Sequence, residues 1–261
     1  MGPERNLAER RTDYAAPASA AAELPHALRG IVEDHRPSRM PFFRRVGSLP
    51  RNVAADPYFL GQIHLNYQAA MHAMRAAAYH LPHLDSPRLR RRKLRLLCED
   101  DGQPDGDTHH EQLTRAFRDI GAACVLDDEE FGEPEEMCCY LDAETAHFVR
   151  LTQTLYARSL GPWCAIELMS GDWMAALARA FAVHFPQFAA EPYFAEPDGG
   201  RRAREVLAIT ETVLQARPEL LRGTLRDAKT MAEALDGVWT HLDRIAQNAW
   251  TLAAPRRGHA G

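Results

Sequence analysis

The stretch from Cys98 to Glu111, CEDDGQPDGDTHHE, holds acids and histidines at a spacing that could do chemistry. Glu99 and His109 are ten residues apart, and so are Asp100 and His110. If the acids close one helix and the histidines open the next, a tight loop between antiparallel helices folds both sets onto a common centre. The exposed amides of a helix N-terminus present positive potential, which disfavours an imidazolium and leaves a lone pair available for a metal. Carboxylate with neutral imidazole suits iron or manganese. The plainer alternative is an acidic loop that is solvated surface, with both histidines facing water.

Glu167 is the second unusual residue. It lies in GPWCAIELMSGDWMAAL among Trp163, Ile166, Leu168 and Met169, so its helix is apolar almost all round and its carboxylate is expected to point inward. A buried carboxylate is costly unless it is paired or bound to a metal. Of the 31 basic residues only Lys93 and Lys229 are lysines, so a salt bridge to an arginine stands beside metal ligation. His64 and His72 share the helix after Asp56, where core or surface roles compete with a place at a site, and His80 and His83 follow them. The vicinal Cys138-Cys139 pair sits near a helix start, where a thiol can be acidified, although small buried side chains explain it as well. No GxSxG, GxxxxGK[ST], GxGxxG or HExxH occurs, which argues against serine hydrolase, P-loop, Rossmann and zincin chemistry.

The elements that must position these groups are helices. Period-two runs of Val, Ile and Thr are missing, and apolar residues recur at helical spacing from Leu24 onward. Asp56-Pro57 and Ser86-Pro87 each give a cap followed by a first-turn proline, and Thr108 with Glu111 forms a capping box. Helices are expected from Asp56 to Pro82, from Ser86 to Glu99, from Thr108 to Gly121, through Tyr140 to Leu155, from Gly161 toward Pro186, and from Arg202 to Ala216. A last one runs from Pro218 to Trp250, kinked or interrupted at Gly223 or Gly237. Residues 1–20 read as a disordered leader, 21–252 as one helical domain and 253–261 as a flexible tail. The chain has 261 residues, 46% hydrophobic, with a net charge of −5. That balance offers nucleic acid or anionic lipid no general attraction, and no apolar run reaches the roughly 18 residues of a membrane span. Five cysteines without a repeated CxxC indicate neither a disulfide framework nor a thiolate zinc site.

The stretch from Arg39 to Val46, the helix around Tyr67-Gln68, LRRRKLRLLCEDDG and THHEQLTRAFRDIG together resemble the heme-oxygenase-like helical superfamily over about residues 24–215. That superfamily holds the thiaminase-like TenA proteins, the pyrroloquinoline-quinone synthase, and iron-dependent oxidases and oxygenases of natural-product pathways. The resemblance implies an all-α, single heme-oxygenase-like bundle of seven to eight helices. It also implies a non-heme Fe(II) oxidase or oxygenase acting on a small, amino-acid-derived molecule, with Glu99 or Asp100, His110 and Glu167 as metal ligands and dioxygen as co-substrate. The last metal motif departs from the family: its His, Asp and His fall in register on Pro197, Arg201 and Arg204. Glu196, Asp198 or Glu205 could substitute as oxygen ligands. Otherwise Arg201 and Arg204, with His64, become candidate contacts to an anionic substrate. Two alternatives stand beside iron: a metal-free enzyme of the quinone-synthase or TenA type, and a degenerate binding or partner protein. The setting expected is a cytoplasmic homodimer that binds neither nucleic acid nor membrane.

Overall fold

The computed structural model describes residues 18–102, 106–123, 141–194 and 200–253. Their regular structure is all helix, with no strand among the described residues. In chain order the helices are α1 (Ala18–Asp34), α2 (Pro41–Ser48), α3 (Arg51–Ala54), α4 (Pro57–Ala78), α5 (Pro87–Asp100), α6 (His109–Asp119), α7 (Ala143–Tyr156), α8 (Gly161–Ala182), α9 (Arg201–Ala216) and α10 (Leu221–Ala253). Nine of them have eight residues or more. The expected count rises because the short run at 41–48 forms a helix of its own, opened by Pro41 and ended before Pro50. Of the expected leader, residues 18–20 belong to α1, while residues 1–17, like Cys138-Cys139, lie outside the described residues.

Local sequence sets the starts. Asp56 accepts from the Phe59 amide at 2.8 Å, Ser86 accepts from the Arg88 amide at 3.2 Å, and Thr108 and Glu111 close a reciprocal capping box. One end differs from expectation. α10 is a single 33-residue helix that runs through Gly223 and Gly237. A helical glycine costs about 1 kcal/mol, and the buried stripe Ala228, Met231, Leu235, Val238 and Leu242 on the same helix outweighs it.

α8 is the axis, packed by α10, α9, α2 and α1, while α4 lies against α7, α10 and α6. The close crossing of α8 on α10 requires Gly161, since a Cβ there would stand 1.9 Å from the Thr224 carbonyl oxygen. Between the helices, Trp239 stacks on Phe42 at 6.0 Å and leans on Phe43, Tyr67 and Trp173. A second aromatic cluster joins Phe117, Phe181, Phe188 and Phe194. Among the described residues no helix is long and apolar enough to cross a membrane.

The consequence for the site lies at the α5–α6 junction. Gly102 follows the acids with φ +73°, and a Cβ there would meet the Gly106 carbonyl at 2.3 Å. Both facts demand glycine. The chain therefore turns after Asp100 and Asp101 and re-enters at Thr108, which brings the first turn of α6 beside the acids. The contact formed is Asp100 with His109, nine positions apart, rather than either expected ten-residue pair.

Candidate functional site

A cavity of about 830 Å³ opens where α4, α5, α6, α8 and α9 meet. Glu99 and Asp100 reach it from the end of α5, His109 and His110 from the first turn of α6, Glu167 from α8, and Arg201 and Arg202 from the first turn of α9. Its walls are mainly apolar, built from Met71, Trp163, Leu168, Trp173 and Tyr193 among others.

Arg202 is the hub of the polar end. Its Nη2 donates to Asp100 at 2.8 Å and to Glu167 at 3.1 Å, its Nε donates to the other Glu167 oxygen at 3.3 Å, and its Nη1 donates to the Leu96 carbonyl at 2.8 Å. Glu99 lies 3.5 Å from Nη1 and takes a 2.6 Å hydrogen bond from Arg201. Desolvation works against the Arg202 charge, but Glu167 and then Asp100 outweigh it, so this guanidinium holds its proton more tightly than one in water. A cation in the first turn of a helix opposes the macrodipole by roughly 0.3–1 kcal/mol. The carboxylates offset that cost.

Asp100 also accepts from the imidazole of His109, with Nδ1 3.1 Å from Oδ1. Burial alone would raise the Asp100 carboxyl, yet His109 and Arg202 together hold it below the usual carboxylate range. A neutral His109 that donates through Nδ1 carries its lone pair on Nε2. His110 is buried, and its ring meets that of His72 edge-on at 6.3 Å, both on the cavity wall. Burial, and next the Glu167 charge, push the Tyr156 phenol well up.

The candidate residues divide clearly. Glu99, Asp100, His110, Glu167 and Arg201 all border the one cavity. His64 does not: it is wholly buried beside Phe117, with Nε2 3.4 Å from the Thr114 hydroxyl. Arg204 is exposed on α9 and does not border the cavity. Glu205, weighed as a substitute ligand, is bound by Arg92 at 2.6 Å and Arg95 at 2.9 Å, while Glu196 and Asp198 lie outside the described residues.

The family register singled out Arg201 and Arg204 and passed over Arg202. Helical periodicity carried the missing signal. Positions 202, 206, 209 and 213 share one stripe, and the other three are the buried Val206, Ile209 and Val213. An arginine heading an apolar stripe must enter the interior and find acids there.

For iron, the groups do not fit as they stand. The acids converge on a point that the Arg202 guanidinium fills, and among the described residues no group of three or more His, Cys, Asp or Glu side chains is arranged to hold a metal ion. No family model matches the chain, and a search of the curated proteins finds no match either. Fold and site together define a helical bundle with an internal cavity bordered by acids and arginines in ion pairs.

Proposed function

We propose that the protein is a metal-free enzyme that binds a small molecule in the cavity and moves a proton on it with His109. The observation that carries this is the Arg202 guanidinium, donating at 2.8 Å to Asp100 and bidentately to Glu167. Three acids from two helices already have their cation, covalently part of the chain. Asp100, fixed by that cation, orients the imidazole, and Nε2 is left as the base toward the cavity. Arg201 and Arg202 offset the neighbouring acids, which alone would oppose negative charge developing on a reacting group.

Iron held by Glu99 or Asp100, His110 and Glu167 is the second proposal, favoured by the fact that all four side chains border one cavity. It requires the guanidinium to swing away from two of the acids it joins. Elemental analysis of the full chain produced with iron supplementation, repeated on Glu167→Ala, separates the two. Metal near background in both, with no change in melting temperature on adding Fe(II), is the expected result. About one iron per chain in the parent, lost in Glu167→Ala, overturns the metal-free proposal.

Enzyme and binding module are separated by following molecules that raise the melting temperature in the presence of chelator. Conversion by the parent chain, lost in His109→Asn while binding persists, is expected. Ligands bound but never converted would leave only a binding function.

A further inference from the structure

The Trp173 indole Nε1 donates to the Tyr67 hydroxyl at 3.0 Å, and the hydroxyls of Tyr67 and Tyr193 lie 2.7 Å apart. An indole N–H can only donate, so the Tyr67 oxygen accepts from it. Tyr67 has one proton of its own. It is fully buried, and among the described residues the hydroxyl of Tyr193 is the acceptor within reach. Were Tyr193 to donate to Tyr67 instead, the Tyr67 proton would be stranded in an apolar core. The chain therefore runs from Trp173 through Tyr67 to Tyr193, and the proton of Tyr193 is the one left over. Tyr193 borders the cavity and Tyr67 does not. Burial pushes both phenols well above their ordinary range, so the terminal hydroxyl keeps its proton at any physiological pH.

One residue along α4 from Tyr67, Gln68 borders the same cavity at 1% exposure. Its side-chain oxygen Oε1 is buried with no hydrogen-bond partner among the described residues. A buried acceptor left unmade is costly, so this oxygen is a place for a donor from outside the chain.

Charge narrows the class further. Glu99, Asp100 and Glu167 are taken by Arg201 and Arg202. Asp172 accepts from the Ser38 amide and hydroxyl at 2.7 and 2.9 Å, and Arg75 is paired with Asp101 at 2.5 Å. An ion drawn to the polar end would have to compete with these contacts, whereas a neutral molecule leaves them whole; Arg179, exposed and bordering the same cavity, lies outside that network. We infer that the ligand is an uncharged, largely aromatic or aliphatic molecule carrying one acceptor, taken by the Tyr193 hydroxyl, and one N–H or O–H donor, taken by Gln68 Oε1.

The inference rests on the cavity being a small-molecule site, and its test separates the two. Four probes, benzamide, N,N-dimethylbenzamide, benzoate and toluene, are titrated against the full chain, read by the fluorescence of Trp163 and Trp173 and by ligand-observed NMR. Benzamide is expected to bind best. Tyr193→Phe should weaken it by roughly five- to tenfold, the worth of one hydrogen bond, and leave toluene unchanged. Gln68→Leu should erase the preference for benzamide over its dimethyl analogue without touching the Tyr193 effect, so two variants probe the two groups independently. Equal binding of all probes to parent and both variants, or benzoate bound more tightly than benzamide, overturns the inference while keeping the cavity as a site. No binding of any probe, toluene included, overturns the small-molecule site itself.

Discussion

Two buried ion clusters in this bundle use the same chemistry to opposite ends. Asp227 on α10 is 1% exposed and is held by Arg158 at 2.5 Å and Arg226 at 3.1 Å, whose side chains are 48% and 67% exposed. One acid lies inside, and two cations reach it from water. Around Arg202 the stoichiometry is reversed: one interior cation serves Glu167 and Asp100 directly and lies near Glu99, with Arg201 on Glu99 and the His109 imidazole beside Asp100. The first arrangement is a clamp between α10 and the end of α7, and none of its three residues borders the 830 Å³ cavity. The second borders the 830 Å³ cavity with an excess of acids over guanidinium groups, a costly composition for a fold to keep if stability were its only purpose.

Arg202→Ala is the largest test of that contrast. It leaves Asp100 and Glu167 facing each other without their cation, and a loss of about 3–5 kcal/mol is expected in urea unfolding at neutral pH. Adding Glu167→Gln should recover part of the loss, because one of the stranded charges goes with it. A single variant as stable as its parent would show that water already screens the cluster and would erase the distinction. Asp227→Asn should cost less, about 1–2 kcal/mol, since its two half-solvated arginines return to water and the amide keeps one acceptor for them. A loss equal to that of Arg202→Ala would put the two clusters in one category.

The same contrast explains what the sequence made legible. Caps are local, and Asp56, Ser86 and Thr108 start helices where their own side chains dictate. The junction carrying Glu99, Asp100, His109 and His110 was readable for the same reason, since a short Gly-containing loop must bring its two ends together. For Glu167 the sequence left a metal and an arginine side by side, and the described structure gives it Arg202. Which of His109 and His110 meets the acids was not legible: neighbours on a helix point about 100° apart, and only packing selects. His109 took Asp100, and His110 went against His72. The interruption expected in α10 does not occur, because a glycine's local cost is overridden by the long buried stripe on the same helix.

Acid provides the smallest and most selective probe. Asp100 releases its proton more readily in the folded chain than in the unfolded one, because His109 and Arg202 outweigh the effect of burial. It therefore adds stability above the ordinary carboxylate range, and that contribution is lost as the pH falls below about 4 through its depressed value. Stability measured from pH 6 downward should decline less steeply in Asp100→Asn than in the parent, with the two curves converging at the acid end. Protonating Asp100 also turns its carboxylate into a neutral carboxyl, a weaker acceptor for His109, so the orientation of the imidazole should loosen over the same interval, visible as a change in its NMR ring-proton shifts. Asp227→Asn should leave those ring signals untouched at every pH, because that cluster holds its acid in place and positions nothing else.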